Sequence, residues 1–114
     1  MSLKANRSYL KDEQSRLTDR IFDIENFLST HPQKYLTNRN IKGKEYYYLK
    51  FRLNDKYTSE YVTKNPEDLK TVREEIESLK EKRQQAKEEL RKAKKNLKVV
   101  CQQVNLLNKA LENG

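Results

Sequence analysis

Residues 69–111 read LKTVREEIESLKEKRQQAKEELRKAKKNLKVVCQQVNLLNKAL. Aliphatic side chains recur along this stretch at alternating spacings of three and four: Leu69, Val72, Ile76, Leu79, Ala86, Leu90, Ala93, Leu97, Val100, Val104, Leu107 and Leu111, with Arg83 as the charged exception. The spacing predicts a helix with one narrow apolar seam, the pattern of a chain that packs against another helix. Asn65, Pro66, Glu67 and Asp68 supply its start: a capping side chain, a proline that needs no donor in the first turn, and acids at the positive end of the helix dipole. An unbroken helix over 66–113 would be roughly 70 Å long.

Upstream, Leu10, Leu17, Ile21, Ile24 and Leu28 fall on one face of a second helix, expected over 4–31. Gln14 fills the missing heptad position, and Phe22 and Phe27 widen the face. Thr30, His31 and Pro32 end it, because proline removes a backbone donor and drives the preceding residue out of helical geometry. His31 reads as a boundary residue, since a catalytic histidine needs partners.

Between the helices, residues 33–64 change to a period of two and hold six of the seven tyrosines. The alternation predicts a three-stranded antiparallel meander: about Tyr35–Ile41, then Glu45–Leu53, then Lys56–Thr63. Gly43 provides the positive backbone angle of the first turn, and Asn54 with Asp55 the second. In the second strand Tyr47, Leu49, Phe51 and Leu53 lie on one face, with Tyr46, Tyr48, Lys50 and Arg52 on the other. The expected fold class is α+β, mostly α: two long coiled-coil-type helices flanking a small β meander in a single structural unit.

Two pairings satisfy the seam. An antiparallel hairpin could set Leu28 against Val72, Ile24 against Ile76, Ile21 against Leu79 and Leu10 against Leu90, bringing Gln14 to Ala86 and Arg7 to Ala93. Its flanking charges include Glu13 near Glu89 and Lys11 near Lys87. A parallel homodimer instead pairs Asp68 with Arg73, Glu75 with Lys80 and Glu89 with Lys94, each worth at most about 1 kcal/mol. In the hairpin register Leu97, Val100, Val104, Leu107 and Leu111 lie beyond the first helix. Each buried aliphatic side chain contributes roughly 1.5–3 kcal/mol, which makes these residues, with Leu90, the expected dimerisation surface.

Composition narrows the chemistry. Of the 114 residues 34% are hydrophobic and 37% charged, with a net charge of +8, and residues 32–65 are the most basic, with eight cations against three acids. Such a surface attracts phosphate backbones or anionic membranes, or simply confers solubility. With Cys101 and His31 alone of their kinds, one chain cannot build an internal disulfide or a cysteine and histidine metal cage. No cofactor is expected. Glu74 with Glu75 and Glu88 with Glu89 are adjacent on helices and point apart, and no glycine-rich phosphate loop or nucleophile elbow occurs. An enzyme is therefore not expected. No apolar run approaches the roughly 20 residues that cross a bilayer, so a cytoplasmic protein without a membrane partner is anticipated.

The candidate contact surface is the strand face of Tyr46, Tyr48, Lys50 and Arg52, with Lys42 and Lys44 at the turn and Arg39 on the neighbouring strand. Aromatic rings stack on bases or pack on sugars while cations engage phosphates. Alternatively, helices could cover both faces, the tyrosines then serving as ordinary β formers.

The stretch Lys34–Val62, KYLTNRNIKGKEYYYLKFRLNDKYTSEYV, resembles the tyrosine-rich meander of small uncharacterised prokaryotic and mobile-element proteins, in which a GKxYYYLxxR hairpin precedes a charged helix. More loosely, it resembles the arm-type DNA-binding sheets of integrases. The resemblance covers about a quarter of the chain and implies a link to mobile elements or phage. The expected function is a nucleic-acid-binding accessory, DNA rather than RNA, acting as a homodimer. The alternative is a protein-interaction module, a coiled-coil adaptor or an inhibitor of a host defence nuclease.

Overall fold

A computed structural model describes residues 3–113. The elements run α1 (Leu3–Thr30), β1 (Tyr35–Ile41), β2 (Lys44–Leu53), β3 (Lys56–Thr63), a 3-10 turn (Pro66–Asp68) and α2 (Leu69–Asn113). The strands form an antiparallel sheet in the order β1-β2-β3. This is the α+β, mostly α architecture expected from the sequence. Contacts divide the chain into two units, 27–86 and a second made of 1–26 with 87–114.

In the second unit α1 and the later part of α2 form an antiparallel hairpin. Leu17, Ala93, Val100 and Val104 are its buried centre, with Leu10, Ile21 and Leu97 packed against them. Ile24 is also buried. Polar contacts fix the register: Gln14 Nε2 donates to Cys101 Sγ at 3.0 Å and Arg7 Nη1 to Asn108 Oδ1 at 3.4 Å. Arg20 reaches Glu89 through Nε at 2.7 Å, and Lys94 meets Glu25 at 3.5 Å.

This register corrects the pairing expected from the sequence. Gln14 and Arg7 each sit fifteen residues further along α2 than the anticipated partners Ala86 and Ala93. Leu90, Leu97, Val100, Val104, Leu107 and Leu111 are all buried or half-buried within the single chain, and Leu97, Val100 and Val104 pack with Leu10, Leu17 and Ile21, so the expectation that they lie beyond the reach of α1 does not hold. The physical reason is the same burial term, satisfied differently: α1 covers the aliphatic-rich later half of the seam. The shift also removes a charge conflict. Glu89 takes Arg20, and Glu13 takes Arg16 on its own helix, rather than the two acids facing each other.

In the unit spanning 27–86, the early seam residues Leu69, Val72, Ile76 and Leu79 are buried or half-buried, as are Leu36, Tyr47, Leu49, Phe51 and Leu53 on one sheet face. Arg83, the exception in the seam, donates to the carbonyls of Leu28 at 2.8 Å and His31 at 2.6 Å. Carbonyls at a helix C-terminus lack intrahelical donors, and a guanidinium supplies several. His31 stacks on Phe27 with ring centroids 4.8 Å apart, a boundary residue in keeping with its position.

The start of α2 differs in detail from the expected cap. Asn65 makes no side-chain cap bond; its carbonyl accepts from the Asp68 amide at 3.1 Å. Thr63 takes the bracing role, its buried hydroxyl donating to Asp68 Oδ2 at 2.7 Å and accepting from the Asn65 amide at 3.0 Å. A threonine at the strand end thus competes successfully for the acid at the helix start.

Candidate nucleic-acid interface

Both hairpin turns are two residues long, and that determines which side chains share a face. Lys42 and Gly43 have φ of 52° and 82°, Asn54 and Asp55 of 52° and 63°: paired positive angles that suit the twist of antiparallel strands. Asn40 Oδ1 accepts from the Gly43 amide at 3.1 Å and braces the first turn. With Ile41 opposite Lys44 and Leu53 opposite Lys56, the pairings of β2 with β1, and with β3 as far as Tyr48 opposite Tyr61, follow; Tyr47 then pairs with Thr63 after a one-residue shift.

Five rows of side chains result on the outer face. Arg52 lies opposite Tyr57. Tyr35, Lys50 and Ser59 form the next row, then Thr37, Tyr48 and Tyr61, then Arg39 with Tyr46, and finally Ile41 with Lys44. The first four rows each carry at least one tyrosine, and four of the five carry a cation. The sheet's strand carboxylates sit on the other face: Glu45 pairs with Asn40 and Glu60 with Leu49. Glu45 there accepts the Tyr47 hydroxyl at 3.0 Å, which raises the phenol above its ordinary pKa. Segregating acids from cations gives the outer face a positive potential that the chain-wide charge balance understates.

The rings on this face are organised. Tyr61 stands edge-on to Tyr48, centroids 5.7 Å apart at 70°, and is tilted against Tyr46 at 6.3 Å. A register shift between Tyr47 and Tyr48 lets Tyr61 meet both rings. The Arg39 guanidinium lies 5.5 Å from the Tyr48 centroid, and that of Arg52 lies 5.4 Å from Tyr57. Arg52 also meets Asp55 at 3.5 Å. Yet the face is open: Tyr35 is 65% exposed, Tyr57 85% and Tyr61 52%.

All the residues expected from the sequence lie in this region. Arg39, Tyr46, Tyr48, Lys50 and Arg52 share the outer face; Lys44 follows the same alternation at the start of β2, and Lys42 projects from the turn. Tyr35, Tyr57 and Tyr61 belong to the same surface, although the alternation within β2 alone does not reveal them. Their signal is the pair of two-residue turns, because turn length sets the register and with it the cross-strand partners. Among the described residues there is no cluster of three or more His, Cys, Asp or Glu able to hold a metal ion, and no helix is long and apolar enough to cross a membrane. In comparisons with known proteins, no family model, curated protein or solved structure matches this chain.

Proposed function

We propose that this protein is a non-enzymatic nucleic-acid-binding module whose contact surface is the outer face of its sheet. The observation that carries the reading is the segregation on that face: five tyrosines with Arg39, Lys44, Lys50 and Arg52, and the strand carboxylates turned to the opposite side. Phosphates supply the charge complement, and bases or sugars supply flat partners for the rings. Tyr46 and Tyr48 at the centre of this face are half-buried, while Tyr35, Tyr57 and Tyr61 around them are exposed and available to a flat partner.

Salt titration with a fluorescent oligonucleotide tests the proposal. Engagement of about four phosphates gives a slope of log K against log salt near −3 to −4. Replacing Tyr46, Lys50 and Arg52 together with serine should abolish binding while circular dichroism retains the helical spectrum. Absence of binding at low salt, or unchanged affinity in the triple variant, refutes the proposal. Recovery of one specific protein partner that resists nuclease treatment would favour the protein-interaction reading instead.

A further inference from the structure

Resting on that reading, we infer that the ligand is a single-stranded segment whose bases stack on Tyr35, Tyr57 and Tyr61, rather than a duplex read in its groove. Three features of the sheet lead there. The first is width. Three strands place the outer strand axes about 9.6 Å apart before any side chain is counted, from the usual spacing of about 4.8 Å. A major groove about 12 Å wide accommodates a two-stranded ribbon. The outer face has Tyr35 on β1 and Tyr57 and Tyr61 on β3, so both flanks of the sheet are bulky.

The second feature is what the polar groups can do. Groove reading relies chiefly on arginine, lysine, asparagine and glutamine making paired hydrogen bonds to base edges, and the free lysines of this face, Lys44 and Lys50, are point charges without a planar fork. Here Arg39 lies by the Tyr48 ring, and Arg52 lies by Tyr57 while also meeting Asp55. Asn38 and Asn40 belong to the opposite face, paired with Tyr47 and Glu45. What the outer face offers freely is ring surface, and the ring of a base is available only when the base is unstacked from its neighbours.

The third feature is spacing. Successive rows along a strand are about 6.7 Å apart, two residues of rise. Bases in a duplex strand rise about 3.4 Å. Tyr57 and Tyr61 stand two rows apart on β3, about 13 Å, with Tyr35 on the row between them at the other edge of the sheet. A strand that places bases on all three must therefore be stretched, unstacked and drawn across the sheet, which a single strand permits and a duplex resists. Lys50, exposed between the rows of Tyr57 and Tyr61, then meets a phosphate that connects adjacent bases.

The experiment compares a 20-nucleotide oligo(dT), an oligo(U) and the corresponding duplex by fluorescence anisotropy at matched salt, with wild type and with Tyr57→Ser/Tyr61→Ser. Both replaced rings are solvent-exposed, and circular dichroism confirms that the variant is folded. Photocrosslinking of 5-iodouracil oligonucleotides to wild type, mapped by mass spectrometry, gives a second readout independent of any variant. Expected are at least tenfold tighter binding of a single strand than of the duplex, a loss of at least tenfold in the double variant, and crosslinks at Tyr35, Tyr57 or Tyr61. Tighter binding of oligo(dT) or of oligo(U) identifies the polymer, and either supports the inference. Equal or tighter binding of the duplex overturns it and leaves the broader proposal standing. Single-strand preference that neither depends on these rings nor crosslinks to them also overturns it. Failure to bind any of the three overturns both.

Discussion

The helical hairpin and the sheet treat their large side chains in opposite ways. In the hairpin, Leu17, Ala93, Val100 and Val104 are withdrawn from water, and ion pairs tie the two helices across and along the seam, Arg20 with Glu89, Lys94 with Glu25 and Arg91 with Glu88. On the outer face of the sheet, Tyr35, Tyr57 and Tyr61 remain in water beside cations for which the strands provide no carboxylate on that side. The contrast separates groups that hold the fold from groups left available for another molecule.

The sharpest break between the two regions should come from Leu17→Ala. Leu17 is 4% exposed at the centre of the hairpin, and its truncation should cost about 2–5 kcal/mol in chemical denaturation. A cost below about 1 kcal/mol would mean that the seam is not closed by α1. Next is Arg83→Ala, which leaves the Leu28 and His31 carbonyls without their donor; a loss of about 1–3 kcal/mol is expected, measured in the same way. Tyr57→Ala should cost at most about 1 kcal/mol, because the ring is solvent-exposed and its main contact is with Arg52. A larger loss would place that ring among the structural groups and weaken the division between the two regions.

The smallest effect concerns acid. The Glu13 and Glu88 carboxyls are held below their ordinary pKa chiefly by hydrogen bonds from Arg16 and Arg91. Their folded pKa values being depressed, the stability they contribute is present above the unfolded carboxylate range and is lost as pH falls through the folded values. The double variant Glu13→Gln/Glu88→Gln should therefore show a shallower fall in Tm than wild type on acidification from about pH 5. Glu88 is exposed, Glu13 half-buried and both partner arginines exposed, so the difference should be slight, and parallel Tm profiles would remove these pairs from any account of stability.

Much of the fold could be read from the residues alone, for identifiable reasons. Alternation in EYYYLKFRL and the two turns locate the strands, and the switch to spacings of three and four locates α2. The helix register could not be read by counting aliphatics, because a heptad pattern maps onto itself when slid by seven. What breaks that symmetry is Arg83, the charged position in the seam, which meets the carbonyl end of α1 rather than its apolar face. Gln14 does the same further along by finding Cys101 rather than an alanine. On the candidate surface, β2 declares its own outward residues, whereas Tyr35, Tyr57 and Tyr61 emerge once the turn lengths are carried across to β1 and β3. Asn65 shows the limit of single-residue cap rules: a good capping residue makes no side-chain cap bond, and Thr63, two residues earlier, holds Asp68 across the turn instead.

The division between a closed hairpin and an open basic face is tested most directly by amide chemical-shift mapping during titration with oligo(dT). The account predicts shifts confined to the sheet, centred on Tyr35, Arg39, Tyr46, Tyr48, Lys50, Tyr57 and Tyr61, with Leu17, Ala93, Val100 and Val104 unmoved. Shifts centred instead on the lysine-rich turns of α2 between Lys87 and Lys98, with the sheet silent, would contradict it.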